Sequence, residues 1–211
     1  MSLDGTVFVV DDDPAVLKAL TRLLVASGRA VRAYSSPREF HERHDRAAPG
    51  CLVLDVAMPD WNGLDLQRAL AAEGAERPVV FITGHGDIPT SVKAMKAGAV
   101  DFLTKPFDAE RLLAAVDAAI EKDALARRAR AERGSIEAKL ATLTLRERQV
   151  LERVVAGQLN KHIAAQLGTV EKTVKVHRGR LMRKMGAVSL IELVRMADLA
   201  GVRPPPAHPP S

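Results

Sequence analysis

Cys51-Leu52-Val53-Leu54-Asp55 is an apolar run ending in a carboxylate, with Met58-Pro59 and Gly63 close behind. Three other stretches repeat its design. Val7-Phe8-Val9-Val10 empties into Asp11-Asp12-Asp13, Val79-Val80-Phe81-Ile82 ends in Thr83, and Asp101-Phe102-Leu103-Thr104 ends in Lys105-Pro106. Short, unalternating apolar runs suit strands covered on both faces of a parallel sheet. The reading predicts strands over about 6–10, 30–34, 50–55, 78–82 and 100–103. Helices fall between them, over about 14–27, 37–45, 63–73, 88–97 and from 108 onward. Asp13-Pro14 opens the first helix with a capping carboxylate and a proline at the first helical position. Gly28 and Gly98 stand where helices should stop. Five βα units imply a five-stranded, doubly wound parallel sheet, an α/β domain with helices on both faces, and right-handed crossovers leave few topologies.

Charge divides the chain. Residues 1–120 hold 13 Lys+Arg against 17 Asp+Glu, a net of −4, and the remainder holds 18 against 9, a net of +9. An acidic half joined to a basic half points to a sensor joined to a polyanion binder. The single cysteine excludes an internal disulfide framework and fits a reducing cytoplasm. The first residues lack the basic-then-apolar pattern of a signal peptide, and no apolar stretch has membrane-spanning length, so a cytoplasmic protein without membrane association is expected.

The domains expected are 1–120, the α/β unit; 121–137, a charged helical linker rich in arginine; 138–203, a small all-α unit; and 204–211, a disordered proline-rich tail. Gly134-Ser135 is the expected break in the linker helix. Beyond it, Thr144-Leu145-Arg146-Glu147 is a capping box opening a helix to about Ala156. Further helices are expected over about Asn160–Leu167, Glu171–Met185 and Ser189–Ala200.

In open parallel sheets, ligands sit outside the carboxyl ends of the strands. Asp11, Asp12, Asp55, Thr83 and Lys105 all lie at such ends and converge if strands one, three, four and five are neighbours. Clustered carboxylates need a compensating cation, and oxygen ligands favour Mg²⁺. A carboxylate beside Mg²⁺ can attack a phosphoryl group to give an acyl phosphate. Asp55, alone at its strand end, is the candidate nucleophile. Asp11 and Asp12 are candidate metal ligands, and Lys105 and Thr83 would stabilise charge on the transferring oxygens.

These pieces, with Asp55-Val56-Ala57-Met58-Pro59-Asp60-Trp61-Asn62-Gly63, Thr83-Gly84-His85-Gly86 and Lys105-Pro106-Phe107, resemble a response-regulator receiver domain. The resemblance implies that Asp55 accepts phosphate from a sensor histidine kinase. It adds the main-chain carbonyl of Ala57 to the Mg²⁺ ligands Asp11, Asp12 and Asp55, makes Thr83 and Phe102 a switch pair, and implies a cis bond at Lys105-Pro106. Residues 86–102 are similar to FixJ-like regulators, which implies dimerisation through the fourth helix and fifth strand, with Lys93, Lys96 and Asp101 at the rim.

Residues 160–185 fit a helix-turn-helix. Ile163, Ala164 and Leu167 form one apolar stripe, and Val174, His177 and Leu181 another. Lys172, Lys175 and Arg178 mark an outer, cationic face suited to a DNA major groove. His177 is read first as packed beneath the helix and bonded to backbone, and second as a base contact. Residues 138–201 resemble the LuxR-type DNA-binding domain. The candidate DNA contacts are Lys161, Lys172, Thr173, Lys175, Val176, Arg178 and Arg180. Val170 stands at the usual capping position of the third helix, which leaves Thr169 as an alternative cap. Gly179 replaces a side chain that elsewhere contacts DNA.

The resulting reading is a DNA-binding response regulator that is not an enzyme. Its partners would be a sensor histidine kinase, double-stranded promoter DNA, a second copy of the chain and RNA polymerase. A phosphatase using Asp55 would need an acid two residues on, where Ala57 stands. A scaffold whose second unit binds protein would lack DNA affinity.

Overall fold

The computed structural model describes residues 5–59, 61–74, 77–84 and 88–203. The proline-rich tail 204–211, Asp60 and His85-Gly86 lie outside the described residues. Two units divide between residues 127 and 128.

The first unit alternates strand and helix: β1 (Thr6–Val10), α1 (Pro14–Ala26), β2 (Ala30–Tyr34), α2 (Pro37–Arg43), β3 (Gly50–Asp55), α3 (Gly63–Ala72), β4 (Val79–Thr83), α4 (Ile88–Lys96) and β5 (Asp101–Thr104). A long helix, α5 (Ala109–Ala141), follows. The sheet is parallel throughout, in the order β2-β1-β3-β4-β5. The strand order makes β1, β3, β4 and β5 neighbours, as convergence of the polar strand ends required. Alternate residues of the central strands supply two cores. Val7, Val9, Cys51, Val53, Val80 and Ile82 face α1 and α5. Phe8, Val10, Leu52, Leu54 and Phe81 face the other side, with Phe40, Leu66 and Leu70. Burial on both faces explains why these strands read as continuous apolar runs.

The helix ends follow local chemistry. The Asp13 carboxylate accepts the Ala15 N–H at 2.7 Å, and Ser36 and Asn62 cap α2 and α3. Gly28 and Gly98 take φ of +81° and +89° just past α1 and α4, a conformation glycine reaches without strain.

The second unit packs the end of α5 with α6 (Leu145–Val155), α7 (Asn160–Gln166), α8 (Glu171–Met185) and α9 (Leu190–Leu199). Its core includes Ile136, Leu140, Val150, Leu151, Ile163, Val174, Leu181, Met185 and Leu193. The Thr144–Glu147 capping box forms as expected.

Two local expectations are corrected. Gly134-Ser135 does not break the helix. An interior glycine costs about 1 kcal/mol, but Ile136 and Leu140 beyond it are buried in the second core, and Arg133 reaches Glu137 across it at 2.9 Å. Packing outweighs propensity there. Thr169 does not cap α8. The cap position is Val170, with no side-chain hydrogen bond, so α8 begins at Glu171. Among the described residues no helix is long and apolar enough to cross a membrane.

Candidate phosphoacceptor pocket and nucleic-acid helix

The carboxyl ends of β1, β3, β4 and β5 assemble the acidic pocket. Lys105 lies between two carboxylates, its ammonium donating to Asp11 Oδ2 and to Asp55 Oδ1 at 2.7 Å each. Each carboxylate's other oxygen is held by main chain: Asp11 Oδ1 accepts the Asp13 N–H at 2.9 Å, and Asp55 Oδ2 accepts the Ala57 N–H at 2.7 Å. Asp11, Asp55 and Thr83 are all buried, at 1 %, 4 % and 1 % exposure. A buried carboxylate is tolerated only when paired, and here both share one lysine.

Thr83 sits at the end of β4, and its carbonyl accepts the Lys105 N–H at 2.6 Å. The Lys105-Pro106 bond is cis, as the resemblance implied. Phe102 is half-buried, its ring 6.3 Å from that of Phe81. Gly63 has a steric reason to be glycine: a Cβ there would lie 2.3 Å from the Asp55 carbonyl oxygen. The start of α3 therefore packs directly against the end of β3, bracing the loop that carries Ala57.

Electrostatics in the pocket are unbalanced. Burial pushes the Asp11 carboxyl above its ordinary pKa, against the pull of Lys105. Burial also opposes charge on Lys105, but its hydrogen bonds to Asp11 and Asp55 outweigh that and hold its pKa above the usual value. One ammonium faces two carboxylates, with the exposed Asp12 beside them. The all-oxygen donor set and the excess negative charge both suit a hard divalent cation. Among the described residues no three His, Cys, Asp or Glu side chains are arranged to hold a metal. The structure brings Asp11 and Asp55 together and leaves Asp12 outside that pair.

In the second unit, Lys161, Lys172, Lys175, Val176 and Arg180 are exposed, whereas Thr173 is half-buried. Lys175 reaches Glu171 one turn earlier at 3.2 Å. Arg178 is less exposed than these lysines. It is half-buried and donates to Asn160 Oδ1 at 2.7 Å, tying α8 to the start of α7. His177 makes no backbone bond through Nδ1, which is buried and unpartnered beside a small cavity lined by Arg146, Thr169 and Thr173. No atom lies within 4 Å of a Cβ built on Gly179, so that face of α8 is open.

Sequence reasoning missed two linkages. The buried Glu147 carboxylate accepts from Lys184 at 2.7 Å, joining α6 to α8. The buried Asp123 accepts the Gly50 N–H and the Arg127 Nε–H. The i,i+4 spacing of Asp123 and Arg127 was legible; the long-range partners carry no local signal. Cys51 is fully buried and its thiol is pushed up to about 12 by burial, which makes it a core residue and not a nucleophile.

Comparison with known proteins agrees with both halves. Residues 7–117 match the family model "Response regulator receiver domain", and residues 141–197 match "Bacterial regulatory proteins, luxR family". The chain is 49% identical over 195 residues to the response regulator protein TodT of Pseudomonas putida strain F1, covering 92% of this chain and 86% of that protein. It is 48% identical over 198 residues to the transcriptional regulatory protein FixJ of Azorhizobium caulinodans, covering 94% of each. Among solved structures, the response regulator StyR superposes with a TM-score of 0.83 at 44% identity, covering 92% of this chain and 98% of StyR. Full-length FixJ from B. japonicum gives 0.57 at 41% identity, covering 93% and 97%. With a receiver-type half followed by a luxR-type half, and with relatives of this identity over nearly the whole chain, the chain belongs to the DNA-binding two-component response regulators and is a transcription regulator, not an enzyme.

Proposed function

We propose that Asp55 accepts a phosphoryl group from the phosphohistidine of a sensor kinase, and that the acyl phosphate drives dimerisation and sequence-specific DNA binding. The observation that carries this reading is the Lys105 ammonium held 2.7 Å from both Asp11 and Asp55 at the strand ends. An Asp55 oxygen attacks phosphorus, the P–N bond breaks, and the imidazole leaves with the electron pair. Lys105 then exchanges a carboxylate partner for a phosphoryl oxygen, and the Thr83 hydroxyl donates to another. Asp11, Asp12, Asp55 and the Ala57 carbonyl would hold Mg²⁺, which supplies positive charge to the transferring oxygens. Movement of Thr83 leaves space for Phe102 to turn inward, a two-state packing change that the phosphate biases.

The change reaches the face of α4 and β5. Ile88, Val92 and Met95 are 79 %, 44 % and 46 % exposed there, with Lys93, Lys96 and Asp101 at the rim. A second copy covers this face. The basic helix α8 enters the major groove, with Lys172, Thr173, Lys175, Val176 and Arg180 toward the DNA and Lys161 on the flanking backbone. Arg178 serves first as a brace to Asn160. The protein acts in the cytoplasm, with RNA polymerase as its downstream partner.

Phosphorylation is tested by incubating the full chain and Asp55→Asn with acetyl phosphate and Mg²⁺ and measuring intact mass. One added phosphoryl group on the wild type and none on the variant is the expected result; labelling that persists in Asp55→Asn refutes the assignment. Capture of genomic fragments with and without beryllium fluoride tests the output. Discrete two-fold symmetric sites should sharpen with the mimic, whereas diffuse, salt-sensitive capture in both states would favour the scaffold reading. Dimerisation unchanged in Lys96→Glu/Asp101→Lys would exclude the α4–β5 face.

A further inference from the structure

The first unit contains a cavity of about 350 Å³ away from the carboxyl ends of the strands. It lies among α3, the start of β4, the end of α4 and the receiver portion of α5. Leu70, Val79 and Ala126 supply apolar wall. Gln67 and Arg77 also line it, and each keeps a buried polar atom without a hydrogen-bond partner: the acceptor Oε1 of Gln67 and the donor Nη1 of Arg77. Gln67 is 93% buried, at 7 % exposure, and its Nε2 already donates to the Ala97 carbonyl at 3.2 Å. The Arg77 Nη2 donates to the Asp45 and Ala48 carbonyls, and the guanidinium carbon lies 4.1 Å from the centre of the Phe8 ring. At the rim, the exposed Lys122 donates to the Gly98 carbonyl at 3.2 Å. The pocket thus combines an apolar wall, two cations and one acceptor.

Buried polar atoms left unpaired cost about 1–3 kcal/mol each, and native proteins keep few of them without a reason. Cavities of this size with a few convergent polar groups are the usual form of small-molecule sites. The charged residues lining the cavity, Arg77 and Lys122, are both cations, which suits an anion; of the carboxylates acting on Arg77, Asp123 is paired with Arg127 at 2.7 Å and Asp45 is the other.

We propose that this cavity binds a small amphipathic organic acid. Its carboxylate faces Arg77 and Lys122, a donor group meets Gln67 Oε1, and its apolar body lies against Leu70, Val79 and Ala126. The proposal does not depend on phosphorylation of Asp55. Through Ala97 and Gly98 the occupant would touch the end of α4.

The test is saturation-transfer NMR on the unphosphorylated full chain, with 6-hydroxyhexanoate and 4-hydroxybenzoate as probes and their methyl esters as neutral matches. Both acids should bind saturably and about tenfold more tightly than their neutral matches, a difference of about 1.4 kcal/mol. Ala126→Leu, which fills the wall and leaves every polar group in place, should abolish binding. Lys122→Gln should weaken the acids alone. Circular dichroism and phosphorylation by acetyl phosphate should be unchanged in both variants. Equal binding of acids and neutral matches, binding that survives Ala126→Leu, or no saturable binding of either acid by the folded wild type each overturns the proposal.

Discussion

Replacing Glu147 by Gln should destabilise the second unit at neutral pH and leave the first unit untouched. Glu147 is 2 % exposed. Its Oε2 accepts the Thr144 N–H at 2.8 Å and the Lys184 ammonium at 2.7 Å. Lys184 also donates to the Thr142 carbonyl at 2.9 Å. The Lys184 hydrogen bond, followed by that of the Thr144 N–H, holds the Glu147 carboxyl at about 2, against an ordinary 4.5. A depressed folded-state pKa contributes stability above the unfolded value and loses it as pH falls through the folded one. A shift of this size corresponds to at most about 3 kcal/mol at neutral pH. Lys184 has 34% of its side chain exposed, and solvent screening there lowers the expectation to about 2 kcal/mol. Urea unfolding of the full chain, read by pulsed hydrogen exchange on peptides of α6 and α8, measures it. The cost of Glu147→Gln should be about 2 kcal/mol near pH 7 and fade below about 1 kcal/mol as pH approaches 2. Lys184→Met should recover most of that cost, with a coupling of at least about 1 kcal/mol in the double-mutant cycle. A cost under about 0.5 kcal/mol at neutral pH, or one independent of pH, refutes the reasoning.

Three further outcomes are expected. Gly134→Ala and Gly179→Ala meet no atom within 4 Å and should each stabilise the second unit by about 0.5–1 kcal/mol, read as a higher urea midpoint; a loss at Gly134 would mean the helix is not continuous there. Asp11→Asn removes a carboxylate whose pKa burial has raised. It should stabilise the metal-free receiver at neutral pH, less as pH falls, and abolish the stabilisation that millimolar Mg²⁺ gives the wild type; thermal unfolding with and without Mg²⁺ measures both. Lys175→Ala should weaken specific DNA binding by about 1–3 kcal/mol if Lys175 reads a base. Equal losses on specific and random duplexes, with a shallower salt dependence, would make it a phosphate contact.

Much of this molecule is legible in sequence because two periodicities are strong. Strands buried on both faces write continuous apolar runs, and their carboxyl ends, where ligands gather, carry Asp11, Asp55, Thr83 and Lys105. Capping residues are equally local: Asp13 and Thr144 each act within a few residues of themselves, so adjacent letters reveal them. Local reasoning failed at Gly134, where propensity argues for a stop but Ile136 and Leu140 lie buried in another set of helices. Nor do adjacent letters reveal the bond from Arg178 to Asn160, 18 residues away.

Sequence alone determined the strand and helix order, the two-unit organisation by charge, and the residue types able to handle phosphate, because those properties are set by neighbours along the chain. Only the tertiary structure decided that one lysine bridges Asp11 and Asp55 across 94 and 50 residues. It alone closed Glu147 on Lys184 and left Gln67 and Arg77 with unpaired atoms in a cavity. Each depends on distances between distant segments, and desolvation, which decides what a buried charge or donor costs, exists only once those segments meet.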